Sequence, residues 1–375
     1  MLKKSSMSVP FFRYGYLYAR YKEEIDRILA DVMSRGAFIL QKDLAEFEND
    51  LAQYVGAKHA IGVSDGTNAM LLGFWALGLP KGSEVIMCSH TYVATAAAAY
   101  FAGLKPVPVD MDDDRMISTA AVEAAITERT SAVMPTQLNG RTAKMDALMS
   151  ICQKHELVLV EDAAQGLGSR YRNKMAGTFG AFGTYSFYPA KTLGCFGDGG
   201  ALVTNDDDIA MKVKRLRDHG RDEDGRFVCW GTNSRLDNLQ AAILKFKLSR
   251  FDDDVVKYRR AIAARYCQNL NDVADIGLPP SPNEDADHFD VYQNFEIEAE
   301  SRDQLREFLK ERGIGTLIQW NGQPLHRLKS LGLERPLPRT ERFFQRCLML
   351  PIYPGLSMDE VDYVCEMIRQ FYGYN

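Results

Sequence analysis

The stretch Val158-Leu-Val-Glu-Asp-Ala-Ala-Gln165 is an apolar run that ends in two adjacent carboxylates. Runs of this kind, rich in branched apolar residues, are typical of strands that are buried on both faces of a parallel sheet. Similar runs recur on both sides of it and alternate with segments of helical character. This pattern predicts an α/β domain built on a mostly parallel, seven-stranded sheet. The other runs are residues 60–63, 84–88, 106–109, 132–135, 183–187 and 200–204.

The segments outside this sheet predict a second, smaller domain. Amphipathic helices are expected before residue 55, and helices dominate again from Asn233 to about residue 272. A strand is expected at 291–297 within a small α+β unit. We therefore expect an N-terminal arm and large domain over residues 1–250 and a small C-terminal α+β domain over residues 251–375. The arm is rich in aromatics, and we expect it to pack on another surface, for example on a partner subunit.

The composition restricts the kinds of function. The 375 residues carry 45 Lys and Arg against 50 Asp and Glu, a net charge of −5. Such a chain has no general attraction for nucleic acid or anionic lipid, and its longest nearly apolar stretch, residues 92–104, is shorter than the ~20 residues that span a bilayer. Its cysteines and histidines form no CxxC or HExxH spacing, so no disulfide framework or metal site is expected. We expect a cytoplasmic protein that binds neither nucleic acid nor membranes.

Two strand ends carry residues suited to a ligand. In Val63-Ser-Asp-Gly-Thr-Asn-Ala-Met70 a strand is followed by a glycine turn and a helix start, whose free N–H groups suit a phosphate. The same pattern also fits an ordinary joint capped by Ser64 or Asp65. In the stretch Val158–Gln165, side chains alternate between the two faces of the strand, so one of the two carboxylates can face a ligand at the carboxyl end of that strand. Asp162 and Gln165 are the candidates, although Asp162 also fits a helix cap.

Two later segments add a lysine and further polar side chains. Lys191 is the one charged residue between Ala181 and Phe196. Burial would lower the pKa of such a lysine and free its amine for imine chemistry, whereas a place on a surface loop is the plain alternative. Ser186 could meet a phosphate. Asn233 could cap the helix that follows it, or reach a phosphate or a neighbouring subunit.

Together these segments are more specific than any one alone. Pyridoxal phosphate requires a lysine for a Schiff base, an acid for the pyridinium nitrogen and a phosphate cup. The helix start near Gly66, then Asp162, then Lys191 supply these parts in order. The sequence therefore predicts pyridoxal 5'-phosphate as a cofactor.

From these motifs, the chain resembles the DegT/StrS family of pyridoxal-phosphate-dependent sugar aminotransferases. The resemblance extends from about Gly36 to Tyr372 and implies the aspartate-aminotransferase fold, fold type I. The segments that carry it are Ser-Asp-Gly-Thr-Asn-Ala (64–69), Thr-Tyr-Val-Ala-Thr (91–95), Glu-Asp-Ala-Ala-Gln (161–165), Ser-Phe-Tyr-Pro-Ala-Lys (186–191), Gly-Asp-Gly-Gly (197–200) and Asn-Ser-Arg-Leu-Asp (233–237).

The resemblance also implies roles for individual residues. Lys191 would form the Schiff base and later move the proton, and Asp162 would hold the pyridinium nitrogen protonated. Gln165 would hydrogen-bond the ring hydroxyl. Tyr92 would stack on the ring face, its alternative being an ordinary core aromatic. The implied phosphate ligands are Gly66, Thr67, Ser186 and, from the other subunit of a homodimer with shared active sites, Asn233.

The activity implied by the resemblance is amino transfer from glutamate to a keto-sugar, in the biosynthesis of a bacterial surface polysaccharide such as lipopolysaccharide or of a deoxyamino sugar. Some relatives have histidine in place of Lys191 and dehydrate instead. Another reaction of the same cofactor is therefore one alternative. A non-catalytic, pyridoxal-phosphate-binding regulatory protein is an alternative of another class.

The substrate side departs from the family pattern at two places. Many relatives have histidine in the segment that contains Gln137, and a His-Tyr-Pro type element where this chain has Trp320-Asn-Gly322. These variants look more like the 8-amino-3,8-dideoxy-octulosonate transaminase subgroup. The expected acceptor is 8-oxo-3-deoxy-octulosonate, with a nucleotide-linked keto-hexose as the alternative. Candidate contacts for a substrate carboxylate or phosphate, each also compatible with an ordinary surface position, are Arg141, Arg235, His326 and Arg327.

Overall fold

The computed structural model describes residues 7–374, in which helices and strands alternate over most of the chain. The strands are β1 (His59–Val63), β2 (Glu84–Cys88), β3 (Lys105–Val109), β4 (Thr130–Met134), β5 (Val158–Leu159), β6 (Glu161–Asp162), β7 (Arg170–Tyr171), β8 (Lys174–Met175), β9 (Gly183–Ser186), β10 (Gly200–Thr204), β11 (Ile276–Gly277), β12 (His288–Phe289), β13 (Phe295–Ala299) and β14 (Cys347–Leu350). The α-helices are α1 (Tyr16–Arg20), α2 (Lys22–Ser34), α3 (Lys42–Val55), α4 (Gly66–Leu77), α5 (Val93–Phe101), α6 (Thr119–Ala125), α7 (Met145–Lys154), α8 (Asp207–Leu216), α9 (Asn238–Leu248), α10 (Lys257–Leu270), α11 (Arg302–Glu311), α12 (Pro338–Arg346) and α13 (Met358–Tyr372).

The main sheet is made of two halves, with strand orders β3-β2-β4-β5 and β6-β9-β10-β1. β5 and β6 belong to one extended segment, because the N–H of Val160 between them donates to the carbonyl of Val133 at 3.0 Å and Asp162 forms a parallel bridge with Thr136. The halves therefore join into one sheet, in which we count seven strands within residues 7–374. β10 runs antiparallel to both neighbours, and the other pairs are parallel. The predicted mostly parallel, seven-stranded sheet is confirmed.

The direction of the strands brings several chain segments to one edge of the sheet. The parallel strands β1, β2, β4, β6 and β9 end at this edge, and β10 begins there because it runs in the opposite direction. The chain leaves β1 and β2 into helices α4 and α5 within a few residues. β2 and β10 are buried along their whole length, as expected for strands covered on both faces. The polar residues that follow the strands are therefore gathered at one edge.

The C-terminal part has its own small antiparallel sheet, in the order β11-β13-β14. Its apolar core includes side chains of α10, α11 and α13. The strand expected at 291–297 is wrong at its beginning, because Tyr292 has a left-handed φ of 52° and β13 begins only at Phe295. A capping box, Ser357–Glu360, starts α13. The division of the chain at residue 250 stays a prediction.

The N-terminal arm packs on the C-terminal part of its own chain. Val9 is buried in that core and forms a parallel bridge with Ile314. The ring of Phe12 lies 5.8 Å from that of Tyr353. Val9 and Phe12 of the arm therefore pack as predicted, and the surface that they cover belongs to the same chain. Tyr14 of the arm is 58% exposed.

Three findings concern the predicted localisation and metal content. No helix described between residues 7 and 374 combines the length and apolarity needed to cross a membrane. Over the same range no three His, Cys, Asp or Glu side chains are grouped as metal ligands. The seven cysteines are free thiols, and Cys229 is the exposed one.

Candidate active site

A cleft of about 500 Å³ opens at the carboxyl edge of the main sheet. It is formed by the segments that follow the strands and by the first turn of α4, and Trp320 closes it from the C-terminal part. Of the residues predicted to bind the cofactor, the structure brings together all but Asn233. The lining residues are Asp65, Gly66, Thr67, Met70, Thr91, Tyr92, Ala94, Thr136, Leu138, Asp162, Ala164, Gln165, Ser186, Tyr188, Lys191, Asp198 and Trp320.

Asp162, at the end of β6, is a buried carboxylate with a defined hydrogen-bond environment. Its Oδ2 accepts the hydroxyl of Thr95 at 2.6 Å and its Oδ1 accepts the N–H of Ala164 at 3.1 Å. Burial raises the pKa of Asp162, and the two hydrogen bonds and the charge of Lys191 partly oppose that shift. The carboxylate is therefore costly to ionise in this cleft unless a cationic group is bound beside it.

Glu161 points to the opposite side of the sheet from Asp162, as the alternation of side chains along a strand requires. It is fully buried and accepts N–H groups of Gly177 at 2.7 Å and Phe179 at 2.6 Å. It also accepts the side-chain amide of Gln137 at 2.7 Å. Gln137 is thus a buried partner of Glu161 and does not line the cleft, so its predicted position on the substrate side is wrong, although Thr136 and Leu138 of the same segment do line it.

Lys191 lies in the turn that follows β9, with its backbone N–H donating to the carbonyl of Tyr188 at 2.8 Å. Its Nζ has no hydrogen-bond partner among residues 7–374 and lines the cleft. Burial lowers the pKa of Lys191, and the charge of Asp162 partly opposes that shift. A larger fraction of the side chain is therefore the free, nucleophilic amine than for an exposed lysine.

The first turn of α4 offers the site for an anion. Asp65 caps this helix by accepting the N–H of Asn68 at 2.9 Å. The N–H groups of Gly66 and Thr67 have no partner within the described residues, as is usual in a first helical turn. A Cβ on Gly66 would lie 3.0 Å from Cβ of Ser186, so glycine permits the close approach of these two segments. The cap therefore leaves the N–H groups of Gly66 and Thr67 free for an anion, although the sequence offered the two roles as alternatives.

Gln165 is oriented by its acceptor atom. Its Oε1 accepts the N–H of Asn139 at 2.8 Å and the side-chain amide of Asn294 at 3.3 Å. Its NH₂ group has no partner among residues 7–374 and is available as a donor in the cleft. Tyr92, immediately before α5, is 55% exposed and its ring lies 6.3 Å from that of Trp320.

The four candidate cations of the substrate side lie outside the lining of the cleft, and each is paired with a carboxylate of its own chain. Two of them, Arg141 and His326, are buried instead of lying at the surface. The pairs are Arg141 with Asp290 at 2.5 Å and Asp285 at 2.8 Å, Arg235 with Asp218 at 2.9 Å, His326 with Glu341 at 3.2 Å, and Arg327 with Glu341 at 2.7 Å.

Asn233 lies outside the cleft of its own chain. It is exposed and forms an antiparallel bridge with Asp218. Its predicted contact with a cofactor in another subunit stays a prediction.

Sequence reasoning assigned no role to the threonine hydroxyls behind Asp162. Thr91 bonds Thr95 at 2.7 Å and Thr136 at 2.8 Å. Thr91 lies just before α5 and Thr95 lies in its first turn, four positions later. The sequence shows the spacing of Thr91 and Thr95, but it does not show that Thr136 lies next to Thr91, because that contact depends on the pairing of β2 with β4.

These residues fit pyridoxal 5'-phosphate. The cofactor has an anionic phosphate, a basic ring nitrogen, a ring hydroxyl and a carbonyl group. The cleft holds a helix start with free N–H groups, a buried carboxylate at Asp162, a free amide NH₂ at Gln165 and an unpaired amine at Lys191. Each group of the cofactor thus has a complementary group in one cleft.

Comparison with known proteins gives the same assignment. The "Pleiotropic regulatory protein" of Geobacillus stearothermophilus is 41% identical over 372 residues, which cover 98% of this chain and 99% of that protein. The dTDP-3-amino-3,4,6-trideoxy-alpha-D-glucose transaminase of Streptomyces venezuelae is 39% identical over 369 residues, covering 97% and 96%. The X-ray crystal structure of S. venezuelae DesV superposes with a TM-score of 0.93 at 39% identity, covering 98% of this chain and 99% of that one.

A family model shows how much of the chain this assignment covers. The model described as "DegT/DnrJ/EryC1/StrS aminotransferase family" matches residues 19–369. This span includes the main sheet, the whole cleft and nearly all of the C-terminal part. The expected fold type I and the pyridoxal-phosphate cofactor are confirmed. The chain belongs to the DegT/DnrJ/EryC1/StrS aminotransferase family.

Proposed function

We propose that this enzyme transfers an amino group from glutamate to a keto-sugar that is linked to a nucleotide. The observation that carries the proposal is the unpaired amine of Lys191 in one cleft with the buried carboxylate of Asp162. A pyridoxal-phosphate-binding protein without turnover would use the same lysine for its Schiff base, so the choice of an enzyme is also supported by the Streptomyces relative, which is named as a transaminase. The Geobacillus relative is named for regulation, but the complete site supports catalysis in this chain.

The bound cofactor supplies a carbonyl that condenses with amines and a ring that accepts electrons when a carbon loses its proton. Lys191 is proposed to hold the cofactor and to move the proton at the reacting carbon. Asp162 is proposed to keep a proton on the ring nitrogen, and Gln165 to donate to the ring oxygen. Tyr92 would cover one ring face. Proposed phosphate ligands are Gly66, Thr67 and Ser186.

An anionic acceptor needs cationic partners that the described lining of the cleft does not supply on its own. Lys191 is the one cationic residue that lines the cleft within residues 7–374, while Asp65 and Asp198 add negative charge. A bound carboxylate or diphosphate needs charge-assisted partners. We propose that these come from a second copy in a homodimer with shared active sites. Exposed Asn233 belongs to a segment that could supply them.

The nucleotide-linked class is proposed because of the Streptomyces relative, which is named as a dTDP-sugar transaminase. The prediction of an octulosonate acceptor depended on the variants at Gln137 and Trp320. Gln137 no longer supports it, because its side chain is bonded to Glu161 and does not face the cleft. Trp320 does line the cleft, and it favours 8-oxo-3-deoxy-octulosonate as the second candidate. Either product would serve surface-polysaccharide or deoxyamino-sugar synthesis.

The test loads the purified enzyme with glutamate and then offers each acceptor class separately. Absorption spectra report the amino form of the cofactor and its return to the carbonyl form. We expect dTDP- and UDP-linked keto-hexoses to return it, with conversion of the sugar to its amino derivative seen by mass spectrometry. Return with the octulosonate alone would replace the proposed acceptor class. If glutamate leaves the spectrum unchanged, the proposed donor is wrong.

A further inference from the structure

The peptide groups on both sides of Lys191 are held by one side chain from a distant part of the sequence. Oε1 of Gln293 accepts the N–H of Thr192 at 2.7 Å, and Nε2 of Gln293 donates to the carbonyl of Ala190 at 2.9 Å. Gln293 is 7% exposed. Its amide therefore pairs with the residues before and after Lys191 as a neighbouring strand would, with both polar groups of the side chain satisfied.

Gln293 is itself fixed. Nη1 of Arg259, on α10, donates to the carbonyls of Tyr292 and Gln293 at 2.9 Å each. Gly140 lies against the same segment, where a Cβ would come within 2.6 Å of the N atom of Gln293. The segment 291–293 can therefore neither swing away nor tolerate a bulkier neighbour without moving the amide.

We propose that Gln293 is a positioning residue for Lys191: by holding the peptide groups on both sides, it aims the amine into the cleft. The Nζ atom has no partner in the described residues, so its direction depends on the backbone from which it projects. A misplacement of about 1 Å in a reacting group can cost ~10²-fold in rate. The inference rests on the proposed role of Lys191 as the residue that binds the cofactor.

The same chain offers a matched control. Gln240, on α9, makes the equivalent pair of bonds to Phe196, accepting its N–H at 2.9 Å and donating to its carbonyl at 3.3 Å. Gln240→Ala removes the same chemistry from the same loop, five residues after Lys191. A loss of general loop stability would appear in this variant as well.

The test uses the full-length protein, freed of cofactor and mixed with pyridoxal phosphate at a series of pH values. Borohydride trapping at set times, followed by peptide mass spectrometry, gives the rate of covalent attachment at Lys191. The wild type is compared with Gln293→Ala, Gln293→Glu and Gln240→Ala, and thermal unfolding of each apoprotein is recorded. The other titratable groups that line the cleft are the same in all four proteins: Asp65, Tyr92, Asp162, Tyr188 and Asp198.

We expect Gln293→Ala to slow attachment ~10-fold or more and to move its pH midpoint upward, because Lys191 gains freedom and solvent. Gln293→Glu keeps the size and the acceptor but loses the donor to Ala190, so it should be slowed as well. Gln240→Ala should attach at the wild-type rate. The proposal is overturned if both Gln293 variants match Gln240→Ala in rate and pH midpoint.

A measurement on the wild type guards against misfolded variants. Hydrogen exchange should find the amide of Thr192 protected in the apoprotein, and exchange at the rate of an exposed amide would refute the pairing with Gln293. This result does not depend on catalysis. If the wild type never attaches the cofactor at Lys191 while Thr192 is protected, the proposed function fails and the pairing stands.

Discussion

The hydroxyl of Thr95 donates a 2.6 Å hydrogen bond to Oδ2 of Asp162. Since a hydroxyl has one proton, Thr95 must accept from Thr91, and Thr91 must in turn accept from Thr136. The three hydroxyls thus point in one direction and favour the ionised form of Asp162. This chain of hydroxyls opposes the effect of burial, which raises the pKa of the carboxylate.

Replacement of Thr95 by valine tests this relationship. The change keeps the shape of the fully buried side chain and removes the donor. A hydrogen bond to a charged group contributes ~1.5–3 kcal/mol, so we expect the glutamate half-reaction to slow ~10-fold or more with little change in KM. Stopped-flow absorption measures it. Thr204→Val, which removes a buried hydroxyl bonded to Ala181 at the opposite edge of the sheet, is the control. Equal rates in the two variants would contradict a role for Thr95.

Asp162→Asn separates catalysis from stability. Burial raises the pKa of Asp162 above its usual 3.8. Between 3.8 and the raised pKa, the folded apoprotein binds more protons than the unfolded chain, so the contribution of Asp162 to stability falls as the pH rises through that interval. We expect the variant's apoprotein to melt no lower than the wild type at pH 7, with the difference shrinking toward pH 4. The glutamate half-reaction should slow at least ~10²-fold. Wild-type rates would remove Asp162 from the mechanism.

Lys191→Ala should retain pyridoxal phosphate without a covalent bond and lose turnover by ~10³-fold or more, because no other residue described between 7 and 374 lines the cleft with an amine. Equilibrium dialysis and borohydride trapping distinguish the two forms of binding. Lys212→Ala, on α8 outside the cleft, is the control for loss of a lysine. Normal activity in the Lys191 variant would refute its role.

Lys247 gives a prediction about pH and stability. Burial lowers its pKa to about 8, while its ammonium group donates to the carbonyl of Gly194. Between about 8 and the usual 10.5 the unfolded chain binds more protons than the folded one, so stability from this group rises with pH over that interval. The free energy of unfolding of Lys247→Met, relative to that of the wild type, should therefore be highest below pH 8 and should be lower at pH 10. Urea unfolding at four pH values measures it, and a constant difference would contradict the lowered pKa.

Much of the site could be read from the sequence because it depends on local patterns. The apolar runs placed the strands, alternation indicated that one of the two adjacent carboxylates faces the cleft, and the family resemblance identified it as Asp162. The glycine turn at Gly66 and the uncharged surroundings of Lys191 are likewise local. Their chemical roles still rest on the variants proposed above.

The rest depended on contacts between distant segments. Gln137 was predicted on the substrate side, but its partner Glu161 is on the next strand, and nothing in the sequence near Gln137 indicates that pairing. Gln293 carried no signal, since Ala190 and Thr192 lie about a hundred positions earlier. The beginning of the strand predicted at 291–297 was wrong because a left-handed Tyr292 does not disturb the apolar pattern.

The last prediction concerns the second subunit. If Asn233 serves a neighbouring cleft, Asn233→Ala and Lys191→Ala should each be inactive alone, and a mixture should regain activity. A mixed dimer has one cleft with both defects and one with neither. When equal amounts of the two variants exchange at random, half of the dimers are mixed. The mixture should therefore regain up to a quarter of the wild-type activity. Exchange is demonstrated with a mass tag on one variant, and light scattering gives the oligomeric state. Under proven exchange, a mixture that stays inactive would show that each cleft is complete within one chain. The cations for an anionic acceptor would then have to come from movements of Arg141 or Arg327 away from their carboxylate partners.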